Sequence, residues 1–539
     1  MPGRNGYLPV RIEVVNQRKS DGKIRLQTVS DSGNYSDSSE VSSDFELLVS
    51  ANTTSVHDHL VPVATDLSSQ GTSVRVHMSG QLGLESGSLS SSFSPDMAAV
   101  LMSEALFTPN SSILDAELNR SSSSYGSASF AARFEPTRMP EDWRAYAGYD
   151  DLLLTDQDWT AMAPGVRHAV GQWCRLGGRV VIYRLQQTSS FQSLGIEGVA
   201  RGSTLDYGFG SFELVKVAPD LKLNPKQTIK RHPSKRKIHD SLVNDYSTNW
   251  PVHQRFGEKT FSYALFIVVL VVFGILVGPI NLFVFAKSGQ RHKLFITTPI
   301  ISLATSVILI GLILAKDGIG GRGMRAVLME VVPGQKENRA YIIQEQVSRT
   351  GVLIGASFSL SEDCVLTPVP IMKSPWSRLH RGSTGGGLRY TANFEGGELA
   401  VGGDWFQSRS EQGQLIKAVV PTRGRVEIRS QTGPPVMIST FEFPLDSLYY
   451  KDHSGGFWRA KALQAGSSVT AEPISKSVYD MARQAEASTL AATQQSFLLE
   501  ATERSGHFFA TSAKGTAVES FGSIEWLETH TILTGPAVQ

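Results

Sequence analysis

The chain has 539 residues, is 41% hydrophobic and carries a formal net charge of +1. That length allows three or four domains at roughly 100–200 residues each, and a charge so close to zero excludes a global electrostatic drive towards nucleic acid or an acidic partner. The two cysteines, Cys174 and Cys364, give neither a disulfide framework nor a zinc-ligand spacing.

Met1 to Tyr7 shows no basic segment followed by an apolar run, so it does not read as a signal peptide. Yet Tyr7-Leu8-Pro9-Val10-Arg11-Ile12-Glu13-Val14 already reads as the inside of a domain, and a natural start upstream of Met1 is expected. Val10, Ile12 and Val14 share one face of a strand, with Arg11 and Glu13 on the other. Phe45 to Val49 and Val74 to Met78 repeat the alternation, and Ser, Gly, Asn and Asp clusters separate the runs. An N-terminal β-sandwich is expected over 1–80. Residues 81–96 are Ser/Gly-rich and read as a linker.

Residues 97–217 change character. Ala98 to Met102 and Tyr149 to Thr155 are apolar runs of the kind found in buried strands. Val166, Ala169, Val170 and Trp173 fall at helical spacing, Gly177-Gly178 stops that helix, and Arg179 to Tyr183 is another strand. Strand, helix, Gly-Gly, strand predicts a parallel α/β domain. Residues 218–260, with Lys230-Arg231-His232 and Lys235-Arg236-Lys237, read as a solvated basic linker.

Phe261 to Ala286 contains no Asp, Glu, Lys, Arg or His, and neither does Leu294 to Ala315. Each is long enough for a hydrocarbon core of ~30 Å, which takes about 20 helical residues. Residues 261–315 are therefore expected to be a transmembrane hairpin, kinked where Gly278-Pro279 interrupts the first span. The connection holds Lys287, Arg291 and Lys293, which favours a cytoplasmic loop and extracytoplasmic flanks. Residues 325–539 return to β patterning, including Val352-Leu353-Ile354, and Ile474 to Arg504 is the helix of that mostly β region.

Met139-Pro140-Glu141-Asp142-Trp143-Arg144-Ala145-Tyr146, Tyr149-Asp150 and Trp173-Cys174-Arg175-Leu176-Gly177-Gly178-Arg179-Val180-Val181-Ile182 together resemble a segment of the class I glutamine amidotransferase-like (flavodoxin-like) fold. The order of a β-domain, this α/β domain, a Gly278-Pro279-Ile280-Asn281 span and a C-terminal β region resembles a group of uncharacterised bacterial envelope proteins. The resemblance implies that both soluble halves lie outside the cytoplasm. It implies no activity.

An active amidotransferase needs a Cys on a strand-to-helix elbow with a His beside it. Cys174 falls inside the helix before Gly177-Gly178, and no Gly-x-Ser-x-Gly elbow occurs in 97–217. His57-Asp58-His59 puts two imidazoles on one strand face without an evident third ligand. Asp150, Asp151 and Asp156 lie near strand ends, and in α/β sheets ligands bind beyond the strand C-termini. These three are the candidate ligand-binding residues. No catalytic residue, metal site or cofactor is expected.

The sequence therefore predicts a non-enzymatic protein integral to the inner membrane, whose extracytoplasmic domains bind or scaffold, or serve an export or envelope-assembly complex. Its expected partners are the lipid bilayer and other membrane or envelope proteins, with no nucleic acid. A membrane-tethered hydrolase using the α/β domain, and a signal sensor, are the alternatives.

Overall fold

The structure is a computed structural model. It describes residues 6–31, 39–64, 71–92, 98–121, 128–186, 188–232, 250–259, 263–285, 289, 291–334, 337–361, 363–369, 371, 376, 388–395, 398–429 and 433–538.

Six strands come first: β1 (Tyr7–Asn16), β2 (Gly22–Asp31), β3 (Ser39–Val49), β4 (Thr53–Pro62), β5 (Gly71–Gly80) and β6 (Glu85–Ser92). β1 and β4 form an antiparallel ribbon. β3, β2, β5 and β6 lie side by side in a larger sheet. Leu8 and Val14 of the ribbon pack on Ile24, Leu26, Phe45, Leu47 and Val74 of that sheet, so two layers enclose a core. The alternation is visible in β2, where Ile24, Leu26, Thr28 and Ser30 are buried while Lys23, Arg25 and Gln27 are exposed. β6 corrects the linker expected over 81–96. Its Ser-rich sequence completes a sheet edge by backbone pairing with β5, which needs no apolar side chains.

The α/β domain follows, with β7 (Val100–Ser103), α1 (Glu104–Ser121), β8 (Ala131–Phe134), β9 (Asp151–Thr155), α2 (Asp156–Ala161), α3 (Pro164–Arg175), β10 (Arg179–Arg184), β11 (Val199–Arg201), β12 (Thr204–Tyr207) and β13 (Gly210–Lys216). Its parallel strands lie in the order β8-β7-β9-β10-β13, with the β11-β12 hairpin as an antiparallel edge. In chain order that is 2-1-3-4-5, an open doubly wound arrangement whose switch point falls between β7 and β9. Leu152, Leu153, Leu154, Val180, Val181 and Ile182 are all buried, because such a sheet is covered on both faces.

The expected solvated linker over 218–260 is partly built into the fold. α4 (Pro225–Arg231) opens with an Asn224 cap on the Gln227 amide and Pro at the first turn. His232 behind it is buried. The basic residues Lys235, Arg236 and Lys237 lie outside the described residues. A short pre-hairpin helix, Pro251–Phe256, starts at the buried Trp250.

Two apolar helices come next. The first runs Tyr263–Ile275 and continues as a π-helix, Leu276–Phe285, that contains Pro279. The proline removes a backbone donor, and the wider π turn accommodates the gap. The second runs Leu294–Asp317 and includes Ala315. Arg291 and Lys293 form an exposed turn before it. Phe261, Ala286 and Lys287 lie outside the described residues. Both helices are long and apolar enough to cross a membrane, and only 6% of the first window and none of the second is buried in the protein.

The rest is mostly β: β14 (Gly321–Val332), β15 (Asn338–Thr350), β16 (Phe358–Leu360), β17 (Asp363–Val369), β18 (Leu388–Glu395), β19 (Glu398–Gly403), β20 (Glu411–Thr422), β21 (Val426–Arg429), β22 (Val436–Ser439), β23 (Leu445–Lys451), β24 (Phe457–Leu463), β25 (Ser468–Thr470), β26 (Glu472–Ile474), β27 (His507–Ser512) and β28 (Ile524–Pro536). Among the described residues, nine strands form one sheet in the order β17-β20-β15-β14-β28-β27-β23-β24-β26. The single helix expected over 474–504 is two, Lys476–Ala487 and Ala492–Thr502, broken at Ser488 to Ala491. Val352 to Ile354 is a loop rather than a strand interior.

The halves of the chain are not separate. β18 pairs in parallel with β3, so strands from before and after the hairpin share one sheet in the order β16-β19-β18-β3-β2-β5-β6. The N-terminal sandwich is thus half of a structure completed more than 300 residues later. Alternation reveals strands, but it does not reveal so distant a partner.

Candidate functional site

The three candidate aspartates occupy opposite ends of β9. Asp150 and Asp151 stand at its start, and Asp156 just past its end, separated by five residues at about 3.3 Å each. Only Asp156 lies on the side where α/β sheets bind ligands. Each carboxylate has structural partners. Asp150 accepts from the Ala99 amide at 2.9 Å. Asp151 accepts from Arg179 Nε and Nη2 at 2.9 and 2.7 Å, and its Oδ2 lies 2.7 Å from His232 Nδ1. Burial raises the Asp151 pKa, but the bonds to His232 and Arg179 outweigh it and hold the carboxyl well below the usual range. Asp156 accepts from the Leu185 and Gln186 amides at 3.2 and 3.1 Å and from Ser189 Oγ at 2.6 Å. Burial opposes ionisation there too, and the Ser189 and backbone donors outweigh it. The three thus fasten strands and loops, and they do not converge on one space.

Cys174 lies within α3 and is buried, its Sγ 3.3 Å from the Gly178 carbonyl oxygen and 3.5 Å from that of Ser211. Trp173 is buried with it, its ring 6.2 Å from that of Tyr146. His57 and His59 share a face of β4, with ring centroids 6.3 Å apart, while Asp58 pairs with Arg11. Among the described residues no group of three or more His, Cys, Asp or Glu is placed to hold a metal ion.

The concentrated polar chemistry sits elsewhere, on one face of the nine-stranded sheet. Glu330 is opposite Tyr341, and Arg349 is opposite Glu411. Tyr341, Glu345 and Arg349 alternate on β15, so Glu330, Glu345 and Glu411 all point to the same side. All three are buried.

Each carboxylate anchors a different part of the molecule. Glu330 Oε2 lies 3.2 Å from Arg175 Nη1, and Oε1 lies 3.8 Å from Arg504 Nη1. The Arg175 guanidinium lies over the Tyr207 ring at 4.0 Å. Arg504 also donates to the Gly208 carbonyl oxygen at 2.6 Å. Gly208 has φ +65°, and a side chain there would strike Arg175 Cα and Glu330 at 2.7 Å. Gly208-Phe209-Gly210, the turn from β12 into β13, is therefore where the α/β domain docks on the sheet.

Glu345 accepts from Trp250 Nε1 at 2.6 Å and from the Ala491 amide at 3.0 Å. Ala491 caps the helix Ala492–Thr502, so the carboxylate faces a helix N-terminus. Burial pushes its carboxyl up to about 7, against the lowering bonds from Ala491 and Trp250. Trp250 lies over Gly413, where a Cβ would meet its ring at 2.7 Å.

Glu411 holds the root of the hairpin. Its Oε1 lies 2.9 Å from His253 Nε2 and 3.1 Å from Arg349 Nη2. Arg349 also donates to the Gly257 carbonyl oxygen and lies 4.5 Å from the Phe256 ring centroid. At the other end, Asp317 pairs with Arg409. Both ends of the hairpin are thereby fixed to the sheet.

Within the hairpin, Asn281 is buried between the helices. Its Nδ2 donates to Thr298 Oγ1 at 2.9 Å, and its Oδ1 accepts from Thr297 Oγ1 at 2.6 Å. Sequence reasoning missed this clasp and the carboxylate face. The available signals were Asn281 inside an uncharged span, and Gln344-Glu345-Gln346 interrupting the apolar run from Ala340 to Val347.

No protein-family profile matches the chain, and no curated protein matches its sequence.

Proposed function

We propose that this chain is a non-enzymatic integral membrane protein of the bacterial envelope. Its hairpin crosses the inner membrane, and both large regions lie outside the cytoplasm as one binding or scaffolding body. The carrying observation is a pair of apolar helices uncovered by protein, with both ends anchored in a folded sheet. Such a surface is stable in lipid and costly in water. That β3 and β18 share a sheet supports a topology with the regions before and after the hairpin on one side of the bilayer. The cations Arg291 and Lys293 support a cytoplasmic connection.

The assignment of 97–217 as a degenerate amidotransferase-like domain rests on its motif and agrees with the 2-1-3-4-5 strand order. The buried position of Cys174 within α3 supports a domain used for binding rather than nucleophilic catalysis. Large folded surfaces on a short anchor are compatible with a role as accessory subunit in envelope assembly or export.

Full-length chain cross-linked in native membranes and affinity-purified is expected to bring down a stoichiometric envelope protein. Recovery of the chain alone would contradict the scaffold reading. Ser/Cys-reactive probes are expected to leave it unlabelled, and labelling lost in Cys174→Ala would contradict the non-enzymatic one.

A further inference from the structure

The end of the nine-stranded sheet that carries the hairpin also carries its exposed apolar side chains. Ile319 is two residues beyond the second apolar helix and 67% exposed. Ile354, in the loop after β15, is 84% exposed. Leu527 is 53% exposed. It is the extra residue where the β14–β28 register slips, with Gly323 opposite Trp526 and Met324 opposite Glu528. A bulge of this kind re-aims a side chain away from the ladder.

These positions are held, not trailing. The Val352 and Gly351 amides donate to the Gly318 and Gly320 carbonyl oxygens at 3.0 and 2.8 Å, and the Gly320 amide donates back to the Val352 carbonyl oxygen at 3.0 Å. The Leu353 amide donates to Ser408 Oγ at 3.0 Å. The loop tip is thus tied to the backbone where the second helix ends. Beside it stand the exposed cations Lys259, Lys316 and Arg322, the last paired with the exposed Glu525 at 3.1 Å. The Lys259 ammonium lies 4.4 Å from the Trp376 ring centroid.

We propose that Ile319, Ile354 and Leu527 form a membrane-surface contact that inserts into the interfacial layer of the leaflet the hairpin enters. This rests on the membrane-spanning reading. The occupant follows from continuity: a side chain two residues past a span end lies at headgroup level, and the loop bonded to that point lies beside it. Apolar side chains flanked by Lys259 and Lys316 match a surface of acyl chains under anionic headgroups. The contact would fix the body against the bilayer instead of leaving it to swing on two helices.

The test uses single cysteines in the full chain, at Ile319, Ile354, Val268 and Leu84. Each carries an environment-sensitive fluorophore, and the chain is reconstituted into phosphatidylethanolamine/phosphatidylglycerol vesicles. Both native cysteines are buried, so labelling falls on the introduced position. Lipids spin-labelled near the headgroup end of the acyl chain are expected to quench at Ile354 and Ile319 several-fold more than at Leu84, in the N-terminal region. Quenching at Val268, inside the first helix, reports the span itself. Quenching at Val268 with none at Ile354 overturns the contact and leaves the membrane reading standing. A blue-shifted but unquenched Ile354 probe means that protein covers the site, which also overturns it. No quenching at Val268 by lipids labelled at any depth overturns both.

Discussion

The hairpin and strand β15 reverse each other's chemistry. The hairpin exposes Phe283 and Phe295, 72% and 85% open, and buries the polar side chain of Asn281. β15 buries Gln344, Glu345, Gln346 and Ser348 in the interior of a sheet. An exposed apolar side chain is tolerable when the medium is lipid, and a buried carboxylate is tolerable when donors already surround it. Burial alone therefore does not separate stable from functional positions here. The surrounding medium and the partner list do.

The largest expected effect breaks the β-sheet half of that contrast. Glu330→Ala leaves the Arg175 and Arg504 guanidinium groups without their buried counter-charge. Removing one partner of such a group costs about 3–5 kcal/mol. Urea denaturation of the detergent-solubilised chain is expected to show it, with the α/β domain released first. An unchanged midpoint would mean that the docking does not depend on this carboxylate.

Val269→Arg breaks the other half. A central Arg in a span costs roughly 2.5–3.5 kcal/mol on insertion. Lower abundance in the membrane fraction is expected. Unchanged fractionation would argue that this helix is covered by protein instead.

Glu345 sharpens the comparison through pH. Its folded-state pKa is raised from 4.5 to about 7, so the native state binds the proton more tightly than the unfolded chain. The stabilising contribution is fully present below about 4.5 and is lost as pH rises through about 7, up to about 3 kcal/mol in all. Thermal melts across that window should show the decline in wild type. Glu345→Gln should flatten it, because the neutral amide keeps an acceptor for Trp250 or Ala491.

Asn281→Leu is the smallest. Polar contacts between membrane helices average about 0.6 kcal/mol and reach about 1.7. Disulfide cross-linking between cysteines placed on the two helices should become modestly less efficient. No change would assign the clasp no part in holding the helices together.

What the sequence made legible was local. Uncharged runs of apolar residues revealed the hairpin, and the period of two in Ile24, Leu26 and Thr28 revealed strands. Pairing was not legible, because β3 finds β18 and β14 finds β28 across hundreds of residues. β6 was missed because backbone bonds, rather than side chains, place Ser88 and Ser90 on an edge. For the candidate site, sequence put Asp150, Asp151 and Asp156 near strand ends but not at which end. Glu330, Glu345 and Glu411 escaped because a carboxylate in sequence reads as surface. What buries them is a set of donors from four distant segments.

We propose one folded body, built from both sides of the hairpin, on one face of a membrane. Cysteines at Ser288 and at the exposed Ser454 test it directly, since Cys174 and Cys364 are buried. In cells with an intact inner membrane, a thiol reagent that cannot cross that membrane should label position 454 and spare position 288 until the membrane is opened. Labelling at 288 with protection at 454 would invert the topology, and labelling at both would remove the hairpin from the bilayer.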